Sequence, residues 1–233
     1  ASAALPKNAR YYRNLRFFTA MAAPDPAMRM ALLMTVETPG AAPDRILSPE
    51  LRRSLADCDP FKRYRDLHER FASVDVVQRM LYIDASVVLP DGFLEKVDKA
   101  TMAHGIEVRV PFLDTELATY AMSLPSKLKV RRFQKKWILR KALRGIVPDP
   151  ILDGPKTGFG VPYEYWLRGP LADYMKAVLF DSSIAAAGIF DRQELERMVA
   201  EHISGVRDHG FLLWKALQLA LWYAQVYRPG SSS

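Results

Sequence analysis

The stretch Pro90–Asp114, PDGFLEKVDKATMAHGIEVRVPFLD, contains the change of period that decides how this chain folds. Its first half is helical in pattern: Phe93, Val97 and Ala100 recur on one face, and Asp91 is placed to accept from the free N–H groups of a first turn. After His104–Gly105 the pattern alternates strictly, with Ile106, Val108 and Val110 on one side and Glu107 and Arg109 on the other. A period of two predicts a short extended segment, and Pro111 stops it. Asp114 then has the position of an N-cap for the next helix. Two opposite charges thus project from one face of a short strand, close behind a helix bearing Lys96, Asp98 and Lys99. Such a cluster is either a salt-bridge network or a polar site.

Outward from this stretch the chain reads as helical nearly throughout. Upstream, Lys7–Phe18 carries Arg10, Arg13 and Arg16 at a spacing of three, either a basic binding face or a solvated face packed through Tyr12 and Phe17. A short apolar helix fits Met28–Val36. Ser48-Pro49-Glu50 is a helix start, a capping serine followed by a first-turn proline. Further helical patterns span about 60–71 and 73–88. Downstream, Thr115–Leu124 predicts a helix ended by Pro125. Arg131–Leu143 predicts another, with Phe133, Trp137 and Ile138 inward and a row of cations outward. Those cations repel one another unless anions are near, so both a solvated face and an anion-binding face fit.

Pro148-Asp149-Pro150 breaks the chain before the loop Asp153–Val161, DGPKTGFGV. Its glycines allow a ligand close to the backbone, and Lys156 supplies a flexible point charge. The loop is not a GxxxxGK[ST] phosphate loop, and an ordinary surface turn is the alternative. Asp191 with Glu194 predicts a capping box for a helix over 191–203. Phe211–Tyr227 is apolar but interrupted by Lys215, Gln218 and Gln225, which predicts a buried core helix rather than a membrane span.

A chain of 233 residues, 49% of them hydrophobic, can bury the core of one large domain or a domain and a half. There are 33 Lys and Arg against 26 Asp and Glu, a formal charge of +7 that suits a polyanionic partner such as a nucleotide triphosphate. No zinc-finger spacing or aromatic-basic RNA-binding motif occurs, and no nucleic-acid partner is expected. Cys58 is the single cysteine, which excludes an intrachain disulfide and a cysteine-rich metal site. The four histidines lack short ligand spacing, so no metal ligands are assigned. No signal-peptide core and no internal repeat are present, and the expectation is a soluble cytoplasmic protein without a membrane partner. Residues 229–233 are expected to be a disordered tail.

The run VDKATMAHGIEVRVPFLD closely resembles a signature of the glutamine-dependent asparagine synthetase family, in its ATP-using synthetase domain. KKWILRKAL and GPKTGFGVPYEYWLRGP resemble two further signatures, in the right order. The likeness is strong from Met80 to Tyr227 and weak before that. It implies a mainly α fold: residues 1–228 as the helical C-terminal half of an α/β, ATP pyrophosphatase-type synthetase domain, with at most one or two short strands. It also implies the chemistry of a carbon–nitrogen ligase of amino-acid biosynthesis. ATP and Mg²⁺ activate the aspartate side chain as an adenylate with release of pyrophosphate, and ammonia from glutamine then displaces AMP.

Residue by residue, Lys156 matches a family lysine that contacts the phosphates, with Thr157 and Gly158 beside it. Lys136 matches a second such cation. Arg109 matches an arginine near the substrate pocket, and Glu107 and Asp98 match acidic positions lining the same region. For Glu107 and Asp98, orienting Arg109 and Lys99 by ion pairing stands beside direct catalysis. The chain has no Gly-Gly pair, whereas the family's pyrophosphate loop is Ser-Gly-Gly-x-Asp-Ser. The acidic Ser-Gly-x-Gly-x-Asp-Glu segment, whose carboxylates would bind Mg²⁺, and the glutamine-hydrolysing cysteine are also lacking. The expectation is therefore a fragment, inactive alone, whose partners are the upstream half with the metal ligands and a glutaminase domain. Two alternatives are a β-lactam synthetase-like ligase acting on another carboxylate and a non-catalytic helical binding module.

Overall fold

The computed structural model describes residues 17–34, 43–155 and 161–227. The fold is mainly helical, with one two-stranded antiparallel hairpin among the described residues, as the sequence pattern and the family likeness predict. The chain divides into two compact units, one drawing on Ala20–Val36 and Pro60–Gly158, the other on the remaining segments.

In the first unit the helices Pro26–Met34, Lys62–Arg70 and Val76–Ile83 close around Met30, Ala31, Tyr64, Ile83 and Val87. Asp25 serves two helices at once, accepting from the Ala27 amide at 2.8 Å and from Arg65 Nε at 2.8 Å. Asp75 caps Val76–Ile83 through the amides of Val77 and Gln78. Past Ile83 the helix does not stop. It widens into π-type turns over Asp84–Leu94 and returns to α-helix over Glu95–Met102.

A helix starting at Pro90 was the expectation, because proline suits a first turn. Here Pro90 lies inside a longer helix, and the wider turns accommodate its missing N–H. Asp91 therefore caps nothing and instead pairs with Arg63 at 2.5 Å. Phe93, Val97 and Ala100 remain exposed. Residues 106–110 are neither helix nor turn, with Val110 extended as the alternation predicts, but among the described residues no strand pairs with them. Asp114 does cap Thr115–Ser123, accepting from the Leu117 amide at 3.0 Å.

The helix expected over Arg131–Leu143 is a hairpin followed by a shorter helix. Strand β1 (Val130–Arg131) pairs antiparallel with β2 (Gln134–Lys135), and Arg132 and Phe133 form the two-residue turn with φ of 47° and 65°. Two consecutive left-handed residues make the twist-matched hairpin turn. Helix begins only at Trp137, after Lys136, itself left-handed at φ 56°. Like charges three and four residues apart destabilise a helix, and Arg131, Arg132, Lys135 and Lys136 would have stood that way. Phe133, expected inward, is fully exposed.

The second unit holds the larger core. Leu167, Met175, Leu179, Leu195, Met198, Leu212, Leu213 and Leu217 are buried together, and the helix Gly210–Trp222 supplies its centre. Gly210 is backed against Glu164, where a Cβ would come within 2.9 Å of the Glu164 Cα. Ser48 caps Pro49–Ser54 as predicted. Asp191 caps Arg192–Ile203 through the Glu194 amide at 3.0 Å, but the capping box is half closed. The Asp191 amide donates to Ile46 O, and the Glu194 carboxylate pairs with Arg197 and Arg45 instead.

Two buried histidines lie in this unit. His202 Nε2 hydrogen-bonds the Glu164 carbonyl at 3.0 Å. Its Nδ1 is 3.3 Å from the His209 amide nitrogen and 3.4 Å from Asp208 Oδ1. Unprotonated, Nδ1 accepts from the amide; protonated, it donates to the carboxylate. His209 Nε2 meets Glu201 Oε2 at 2.6 Å, and Arg197 also pairs with Glu201. The His202 contact pulls the Asp208 carboxyl down to about 2. The His209 contact lowers Glu201, and burial lowers His209 itself.

All three groups favour their deprotonated forms in the fold, so their contribution is complete above the ordinary histidine range and is lost on acidification. We expect the melting temperature to fall first below about pH 6.5, as His209 charges, and again between about pH 4 and 2. Asp208→Asn should diminish the lower step. Melting scans across pH check this, and a protein that gains stability on acidification contradicts it.

Candidate functional site

The residues singled out by sequence in the first unit occupy two places. Glu107 and Arg109 form an ion pair at 2.7 Å, with both side chains mostly in solvent. On the opposite face of the same extended segment, Val108 and Val110 line a groove of about 430 Å³ with Pro90, Leu94, Glu95, Val97 and Asp98. Asp98, on the helix Glu95–Met102, lines this groove, whereas alternation along the segment turns the Glu107–Arg109 pair to its other face. Lys99 pairs with Glu95, one helical turn back, and that contact holds the Glu95 carboxyl below its usual range. Glu107 therefore has the orienting partner foreseen for it, whereas Asp98 is not the partner of Lys99.

Lys136 is exposed at the start of Trp137–Ala142, where its carbonyl accepts from the Arg140 amide at 2.9 Å. Its position is fixed from both sides. Before it, Arg131 lies over the Trp137 ring at 4.8 Å. The approach to the hairpin is anchored by Lys129, whose ammonium donates to Gln78 Oε1 and to the Met122 carbonyl. Burial lowers the Lys129 pKa. Ser126 Oγ donates to both oxygens of Asp75, the largest cause of that carboxyl's lowered pKa. Asp75 thus caps one helix and holds the segment leading to the hairpin.

Lys136, Arg132 and Arg140 do not form the outward row expected of one helix. Arg132 is in the turn, and Arg140 points towards Asp153 at 4.0 Å. Arg144 reaches Asp149 at 2.5 Å and Asp153 at 2.7 Å, fastening the short helix Asp149–Asp153. Gly154 follows, where a Cβ would stand 2.6 Å from the Pro150 carbonyl oxygen. Lys156, Thr157 and Gly158, and with them the meeting of Lys136 and Lys156 on one anion, lie outside the described residues. Among the described residues, no group of three or more His, Cys, Asp or Glu is placed to hold a metal ion.

Sequence reasoning missed the Asp75–Ser126 and Gln78–Lys129 anchors. Asp75 falls within the helical pattern read over 73–88 and was not singled out as a cap, and its partner Ser126 lies 51 residues away and carries no local signal.

The described residues thus define a helical protein with a concentration of cations on one unit. By sequence the chain belongs to the asparagine synthase family, which matches residues 4–224. It is 42% identical over 154 residues to a Mycobacterium bovis protein provisionally named a glutamine-hydrolyzing asparagine synthetase, covering 66% of this chain and 23% of the relative. It is 29% identical over 177 residues to asparagine synthetase (glutamine-hydrolyzing) 1 of Bacillus subtilis, covering 74% and 28%. Against the Bos taurus asparagine synthetase (glutamine-hydrolyzing), identity is 35% over 99 residues, covering 40% and 18%. The matched part is about a quarter of the length of the two bacterial relatives. No solved structure matches the chain significantly.

Proposed function

We propose that this chain supplies the cationic side of the ATP site in an asparagine synthetase-type ligase, which amidates aspartate with ammonia derived from glutamine. The observation that carries the reading is the setting of Lys136. It is held in a left-handed turn at the head of a helix, is exposed, and has no carboxylate partner among the described residues. An ammonium in that state is available to phosphate oxygens, the anions that bear developing charge when a carboxylate is activated by ATP. Mg²⁺, when bound with ATP, would supply further neutralisation of phosphate charge. Lys156 is the second cation of the reading, with Thr157 and Gly158 offering backbone and hydroxyl donors.

Arg109, steadied by Glu107, is assigned to the substrate carboxylate. Asp98, in the wall of the groove on the other face of the extended segment, is assigned to the groove and not to the carboxylate site of Arg109. The exposed apolar residues Ile106, Phe112, Leu117 and Tyr120 are assigned to packing against a nucleotide-binding α/β body.

Titration calorimetry of the purified chain with pyrophosphate tests the cationic role. Lys136→Ala should weaken binding about tenfold, since a hydrogen bond from a charged donor contributes roughly 1.5 kcal/mol or more. Lys62→Ala, which removes a cation already paired with Asp66, should not. Equal affinities for the wild-type chain and Lys136→Ala would contradict the assignment.

A further inference from the structure

We propose that the hairpin tip is a docking point for single-stranded nucleic acid, with the Phe133 ring stacking on a base and Arg132 and Lys135 facing the adjacent phosphates. The first observation is the ring itself. Phe133 is fully exposed at the second position of a tight two-residue turn, the place where glycine is favoured. A left-handed backbone is unfavourable for both Arg132 and Phe133, and an exposed ring gains nothing from burial. No contact of Phe133 within the described chain offsets either cost. The two paired strands hold the ring outward on a short, fixed support.

The second observation is charge. Between Glu116 and Asp149 there are nine Lys and Arg and no Asp or Glu. Arg140 and Arg144 are turned to Asp153 and Asp149, and Lys129 is anchored to Gln78. Arg131, Arg132, Lys135 and Lys136, all within three residues of Phe133 in the chain, have no carboxylate partner among the described residues, and Arg131 lies over the Trp137 ring.

The matching ligand has closely spaced negative charges and an open, flat π surface. Inorganic polyphosphate has the first without the second. An anionic bilayer has charge and an apolar interior, but a single aromatic residue on a strongly cationic tip gives it little to insert. Single-stranded nucleic acid has both, since its bases are unpaired and every base has a face to stack on. The expectation of no nucleic-acid partner rested on the lack of a linear motif. The hairpin assembles ring and cations within six residues, 131–136, that sequence pattern had assigned to a helix.

Fluorescence anisotropy of the 233-residue chain with a labelled 12-nucleotide oligouridylate is the test. Binding should weaken steeply with salt. Phe133→Ala should weaken it about tenfold, in line with the loss of one stacked base. Arg132→Glu with Lys135→Glu should weaken it at least as much and flatten the salt dependence. Phe133→Gly, which suits the turn, should weaken binding while raising the melting temperature. The proposal is overturned by absence of binding at low salt. Unchanged affinity in Phe133→Ala, with inorganic polyphosphate competing as well as the oligonucleotide, would reduce the tip to a simple cationic patch and overturn it too. So would preferential binding to anionic phospholipid vesicles.

Discussion

Replacing Lys156 with alanine, in a protein that joins this chain to a nucleotide-binding α/β body, should slow pyrophosphate release about a hundredfold or more. Removing one preorganised donor aimed at developing charge typically costs on the order of 3 kcal/mol in the transition state. The effect should fall on the rate far more than on aspartate affinity, because the lysine is assigned to the phosphates and Arg109 to the substrate carboxylate. Lys156→Arg should recover little, since a planar fork does not reproduce a compact ammonium on a flexible stem. Pyrophosphate release measured across an aspartate titration separates rate from affinity. A variant that keeps its rate would make the glycine-lysine loop an ordinary surface turn.

Leu213→Ala should destabilise the second unit by about 3–4 kcal/mol, within the range for deleting most of a buried leucine side chain. Leu213 is fully buried in the first turn of Gly210–Trp222, in one cluster with Met175, Leu179, Met198 and Leu217. Leu219, on the same helix, is 38% exposed, and Leu219→Ala should cost less than about 1 kcal/mol. Urea unfolding followed by tryptophan fluorescence is a fitting probe, because Trp166, Trp214 and Trp222 all belong to this unit. Equal losses for the two variants would contradict the assignment of that helix to the core.

How far the chain could be read follows from which signals are local. Ser48, Asp114 and Asp191 were legible as caps because a cap needs only its own next turn. The apolar run from Phe211 was legible as core because its length and three polar interruptions argued against a membrane span, but only its first part is buried: Trp222 and residues 224–227 are exposed. The Arg131–Leu143 helix was misread because Trp137 and Ile138 do begin a helix, and the same spacing was carried back through Phe133. Nothing local marked Arg132-Phe133 as a turn, since neither residue is one that left-handed turns favour. Pro90 misled in the opposite way, as a start signal inside a continuous helix.

The candidate site was partly legible. Glu107 and Arg109 were foreseen on one face and are there as a pair. The separation of Asp98 from them follows from how the extended segment lies against Glu95–Met102, a tertiary fact with no sequence period. The anchoring of Lys129 by Gln78 is likewise invisible along the chain.

The central claim is that this chain carries the cationic side of an ATP-dependent amide ligase and not the whole site. AMP formation with ATP, Mg²⁺, aspartate and ammonia tests it most directly. The purified chain should give none above background, and the same chain joined to a nucleotide-binding α/β body should give AMP that depends on aspartate. AMP and asparagine from the 233-residue chain alone, or no aspartate-dependent AMP from the joined protein, would contradict it.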